Sequence, residues 1–192
     1  IEKSLNLDPD NQRPLYIRGL VETYSGDFDS AEESFQNFIN WSPSEWAGYN
    51  DLAWVYIQNG KFEDAKDTAI LGLENTDYNN IWLRNNLGAA YLQLGEYDKA
   101  LEEFLFVRER FYTVDEGEWR RAYPGNGGEQ IEILKTEFEG LIYFNLFQTY
   151  KQLKEEEKSQ ESFEKAREII PFFSRLRPLI DEIDAGVDMF IQ

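Results

Sequence analysis

The chain has no cysteine and no histidine, one methionine, and only 19 lysines and arginines against 37 aspartates and glutamates. Each shortage closes off a class of chemistry. Without cysteine there is no disulfide framework and no thiol nucleophile. Without histidine the commonest general base and the Ser–His pair are gone, so no catalytic residues are expected. Carboxylate pairs remain, but a helical chain this acidic forms close pairs as an ordinary solvated face. The formal net charge of -18 and a pI near 4.3 repel phosphate backbones and anionic headgroups, which makes nucleic acid and membrane surfaces poor partners. No apolar run approaches the roughly 18 residues needed to cross a bilayer, so direct membrane insertion is not expected. The opening "IEKSLNLDPD" also lacks the charged-then-apolar pattern of a signal peptide.

What is present is ample for a core: 42% of the 192 residues are hydrophobic and 16% aromatic. The pattern is repetitive. "SGDFDSAEESF", "NGKFEDAKDTA" and "LGEYDKALEEF" align on Gly26, Gly60 and Gly95, at spacings of 34 and 35. Two residues after each glycine comes an aromatic (Phe28, Phe62, Tyr97), and five after it an alanine (Ala31, Ala65, Ala100). Upstream of each glycine, "YIRGLVETY", "YNDLAWVY" and "RNNLGAAY" place apolar residues at three- and four-residue steps. The reading is helix, glycine turn, helix, with the glycine supplying a left-handed conformation and the alanine a close helix approach.

"NNLGAAYLQLGEYDKALEEF" resembles the tetratricopeptide repeat, with Leu87, Gly88, Tyr91, Ala100 and Phe104 at the family's positions. A first unit carries Gly19, Ala31, Phe35 and Pro43, and a second Leu52, Ala53, Tyr56 and Ala65. A fourth carries Leu146, Tyr150, Phe163, Ala166 and Pro171. Three positions depart from the pattern: Phe38 and Phe147 are bulky where a small residue is usual, and Lys154 stands at the turn glycine. The resemblance implies an all-α, right-handed superhelix of stacked antiparallel helix hairpins. The expected organisation is one repeat domain over 1–192: the tail of an upstream repeat at 1–9, repeats at 12–43, 46–77, 81–112 and 138–171, an insertion at 113–137, and a C-terminal capping helix at 174–192. Leu176, Leu179, Ile183, Val187 and Phe190 give that last helix its apolar spacing. Because residues 1–8 have no partner helix, a cut from a longer array is expected, and self-association through the open N-terminal end is one possible use of it.

Other motifs dissolve on inspection. "GDFDSAEES" starts like a calcium loop, but Glu32 occupies the place of the required glycine, so it reads as a helix start. Asn40-Trp41-Ser42 is a glycosylation triplet followed directly by Pro43, and reads as an inter-helix turn. "PGNGG" lacks the spacing and lysine of a phosphate loop. Neither a metal site nor a cofactor is expected.

The resemblance implies a concave groove lined by first helices, where related domains bind partner peptides. Alignment puts Tyr16 and Thr23 of the first unit, Asn50, Trp54 and Ile57 of the second, and Trp82, Asn85 and Gln93 of the third on that side, with Gln148 and Lys151 of the fourth. No acidic residue falls on the aligned groove positions, although acids make up about a fifth of the chain. Aromatics beside amides suit an extended peptide. A protein or peptide partner is therefore expected, bound by a non-catalytic scaffold. Arg13 and Lys151 stand too far apart for a carboxylate-clamping groove. Asn86 and Asn145 resemble part of the asparagine ladder in the repeat arms of protein glycosyltransferases, with Ile17 and Asp51 in the matching slots, so a substrate-recognition arm of a larger enzyme is the alternative.

From the third turn to the fourth the step is 59 residues, about 25 more than a repeat. The extra segment contains "GEWRRAYPGNGG". Two readings stand for it: a tolerated surface loop, or a docking element built from Trp119, Arg120, Arg121 and Tyr123. Beyond Gly128 the helical spacing predicts an elongated first helix, unless Thr136 and Glu139 form a capping box and start it later.

Overall fold

In the computed structural model, the described residues are 13–170, 174 and 176–184. The expected tail at 1–9, Pro171, and Val187 and Phe190 of the closing helix lie outside them. Ten helices are described: α1 (Arg13–Ser25), α2 (Phe28–Trp41), α3 (Trp46–Gln58), α4 (Phe62–Asn75), α5 (Ile81–Gln93), α6 (Tyr97–Phe111), α7 (Glu116–Ala122), α8 (Gly128–Gln152), α9 (Glu156–Ile169) and α10 (Arg177–Asp184). There is no strand among the described residues. The chain divides into two compact units, one ending at Glu103 and one starting at Phe104.

In the first unit, α1 pairs with α2 and α3 with α4, and each second helix also packs on the next first helix. The turns explain the pairing. Gly26, Gly60 and Gly95 have φ of 80°, 72° and 78°, and the residue after each donates its N–H to the carbonyl five back: Asp27 to Glu22, Lys61 to Tyr56, Glu96 to Tyr91. That bond satisfies carbonyls left over at the helix end and reverses the chain. Ala31, Ala65 and Ala100 are fully buried, as expected of a close helix approach. Two side chains cap helices directly. The Asp27 carboxylate accepts from the Ser30 N–H, and the Asn80 side chain accepts from the N–H groups of Trp82 and Leu83. Phe38 fits its small-residue slot because Gly48 faces it: a Cβ there would lie 2.9 Å from the Phe38 ring.

In the second unit α8 and α9 form the hairpin. Its turn residue Lys154 adopts φ 61°, with Glu155 donating to Tyr150, so lysine takes the glycine's conformation. A side chain in this region crowds its own backbone. Lys154→Gly is therefore expected to stabilise the unit by roughly 0.5–1 kcal/mol, measured by urea unfolding. Phe147 is absorbed into a cluster with Phe144, Phe163, Ala166, Ile170 and Ile180, on which Leu176, Leu179 and Ile183 also pack. Helix α10 thus packs on this hairpin through Leu179, Ile180 and Ile183.

The insertion is not merely a loop. Asp115 caps α7 by accepting from the Glu118 N–H, and α8 runs for 25 residues from Gly128. The elongated-helix expectation holds and the capping box does not form. The Thr136 hydroxyl instead donates to the Glu132 carbonyl inside the helix, and Glu139 accepts a hydrogen bond from the Tyr112 hydroxyl. Helix continues through this point because Ile131 and Phe138 bury on one side of it.

Candidate functional site

Successive first helices α1, α3 and α5 lie side by side in the first unit, as the 34-residue period requires. Their register brings Tyr16 opposite Asp51 and Asn50 opposite Asn86. The Tyr16 hydroxyl donates to Asp51 Oδ2 at 2.7 Å, and Asn50 Nδ2 donates to Asp51 Oδ1 at 2.9 Å. Asn86 Nδ2 donates to both the backbone carbonyl and Oδ1 of Asn50, each at 3.0 Å. A continuous polar chain therefore ties the three first helices together.

Burial raises the Asp51 carboxyl to about 6, with the hydrogen bonds from Tyr16 and Asn50 opposing it only in part. Burial, then the neighbouring Asp51 charge, pushes the Tyr16 hydroxyl up as well. Because the folded chain holds the Asp51 proton more tightly than the unfolded chain, stability from this group is full below about pH 4 and is lost as pH rises through about 6. Asp51→Asn should stabilise the fold by about 1–2 kcal/mol at pH 7, and the gain should vanish near pH 4. Thermal melts across that range check it.

Beside this chain sits an aromatic pair. The rings of Tyr24 and Trp54 are 6.5 Å apart and tilted by 51°. Tyr24 is 69% exposed, and Val21 and Ile17, one and two turns earlier on α1, are also exposed. Trp54, Asn50, Ile57 and Gln93 are half-buried, and Ile57 also packs against the core. Other expected residues point inward. Trp82 is buried and stacks on Trp46, centroids 5.1 Å apart; Asn85 is buried too. Thr23 is buried and its hydroxyl donates to the Gly19 carbonyl. In the second unit Gln148 and Lys151 are half-buried on α8.

The insertion residues divide in the same way. Trp119 is 2% exposed, stacked on Tyr123 at 6.0 Å and edge-on to Phe111 and Phe138 at 5.7 and 6.0 Å. It is a core residue of the second unit. Arg120 and Arg121 remain exposed, Arg120 pairing with Glu116 at 3.1 Å. Among the described residues no cluster could hold a metal ion, and no helix is long and apolar enough to cross a membrane.

Sequence reasoning missed Asp51 as a member of the face and Trp46 as the partner of Trp82. The signal for Asp51 was available: it stands 35 residues after Tyr16, one repeat away, where a hydroxyl and a carboxylate meet.

A family model described as tetratricopeptide repeat matches residues 2–123, and a second of the same description matches 141–173. The chain belongs to the tetratricopeptide repeat family. Solved structures of similar fold include PilF of Pseudomonas aeruginosa, at TM-score 0.66 and 18% identity over 92% of this chain and 67% of that one. MamA of Desulfovibrio magneticus RS-1 is similar at TM-score 0.57 and 14% identity over 86% and 78%. PcrH, solved in complex with the chaperone binding region of PopD, is similar at 0.51 and 18% over 68% and 89%. At these identities the likeness is one of fold. A comparison with curated proteins finds no match.

Proposed function

We propose that this tetratricopeptide repeat chain is a protein-interaction scaffold, and that the first-helix face of its first unit binds an extended segment of a partner protein. The observation that carries the reading is the accessible Tyr24–Trp54 pair set against the hydrogen-bonded chain Tyr16–Asp51–Asn50–Asn86. Aromatic rings offer large contact area at little entropic cost, and a prefixed polar row spares the ordering of amides at the moment of binding. The complex of PcrH with a segment of PopD shows that one protein of this fold holds a partner segment, which supports the reading. Trp82 and Asn85 support the face from behind in this scheme, and Tyr24, Trp54 and Asn50 meet the ligand.

Peptides selected by phage display on the purified protein provide the test. Tyr24→Ala and Trp54→Ala are each expected to weaken a selected peptide at least ~10-fold, with the melting temperature little changed. Unchanged affinity in both variants would sink the proposal.

A further inference from the structure

The second unit carries a cleft of about 370 Å³ whose walls come from three helices: Arg108 on α6, Tyr143 and Tyr150 on α8, and Lys158, Glu161, Ser162 and Lys165 on α9. Helical spacing assembles it. The two tyrosines are seven residues apart, and Lys158, Ser162 and Lys165 follow at steps of four and three, so each set occupies one side of its helix. Three cations and one carboxylate line the cleft, and Glu155 and Glu168 beside it pair with two of the cations, so the charge there is balanced in a chain with 19 basic and 37 acidic residues.

Arg108 sets the character of the cleft. It is half-buried, and among the described residues no ion pair or hydrogen bond engages its guanidinium. Lys158 pairs with Glu155 at 2.5 Å and Lys165 with Glu168 at 3.1 Å, but both lysine side chains are about half exposed. Pairs this exposed are weak and exchange readily for an incoming anion. The Lys158 amine also lies 5.4 Å from the centre of the Tyr150 ring, which holds it over the cleft. A guanidinium fork that lines the same cleft as two ammonium groups suits a carboxylate, and the tyrosine rings and lysine stems supply apolar surface there.

The charge of the whole chain narrows the ligand further. A net -18 repels any polyanion at long range, whereas a single carboxylate responds mainly to the cations within a Debye length of roughly 8–10 Å. Glu161 at the same cleft disfavours a second negative charge. The geometry points to a docking pocket for one carboxylate side chain, with an apolar neighbour, carried by a peptide segment that is otherwise neutral or basic. This pocket lies on the second unit and takes two of its three walls from the second helices of their hairpins, so it is separate from the first-helix face.

The test uses the whole chain, 15N-labelled, titrated with the peptide acetyl-Lys-Phe-Glu-Gly-amide and with the same peptide carrying glutamine for glutamate. Saturable shifts are expected at the amides of Tyr143, Tyr150, Lys158 and Lys165. The glutamine peptide and the Arg108→Gln variant should each lower affinity about 10-fold, and Arg108→Lys should recover part of it. Trp54→Ala should change nothing here, so this pocket and the first-helix face fail independently. Absence of saturable shifts at those amides, equal binding of the glutamine peptide, or shifts centred on Tyr24 and Trp54 would overturn the assignment.

Discussion

Trp119→Ala is expected to destabilise the second unit by about 3–5 kcal/mol, the usual cost of emptying a buried aromatic site. Trp119 is 2% exposed, and its ring touches Phe111 at the end of α6, Phe138 inside α8, and Tyr123 just past α7. The Lys135 amine lies 5.9 Å from the ring centre and is paired with Glu116 and Glu132 at 2.8 and 2.7 Å. Deleting the indole removes a group shared by all three helices, so α7 should lose its hydrogen-exchange protection before the α8–α9 hairpin does. Urea unfolding gives the free energy and exchange mass spectrometry the location. A loss below about 1 kcal/mol would mean that the insertion is not part of the unit's core.

Arg84→Ala should cost about 3 kcal/mol or more in the first unit. Arg84 Nη1 lies 2.8 Å from Glu103 Oε2, with both side chains nearly buried, and its Nε donates to the Tyr78 carbonyl at 2.8 Å. The guanidinium also sits 4.5 Å from the Tyr78 ring centre. Burial already raises the Glu103 carboxyl above its usual value despite Arg84, so removing the arginine strands a charge that the site tolerates only when paired. A second change, Glu103→Leu, in the Arg84→Ala background should recover a good part of the loss, since it removes the stranded carboxylate. No recovery would show that the arginine stabilises chiefly through Tyr78.

How much of this was legible in the sequence depends on the range of the interaction. The hairpins were, because a glycine turn and an alanine contact are local and recur every 34 or 35 residues; even Lys154 could be placed by register, although only the structure shows it taking φ 61°. The polar row was half legible. Asn50 follows from spacing, but the meeting of Asp51 with Tyr16 on a different helix does not, and its raised pKa needs burial that spacing does not report. Trp82 and Thr23 mark the limit of face assignment by period. Adjacent first helices pack closely enough to bury Trp82 against Trp46, and Thr23 turns its hydroxyl to its own backbone. In the insertion, composition suggested interface anchors, yet Trp119 on the short helix α7 found a core instead, because Phe111 and Phe138 lie within reach of it.

The central claim is that the first-helix face of the first unit is where a partner segment sits. Its most direct test places a photo-crosslinking benzoyl-phenylalanine at position 24, on that face, and in a separate protein at position 71 on α4, where Leu71 is 48% exposed. With a peptide selected on the wild-type chain, the account predicts crosslinks from position 24 and none from position 71. Crosslinking from position 71 alone would contradict it.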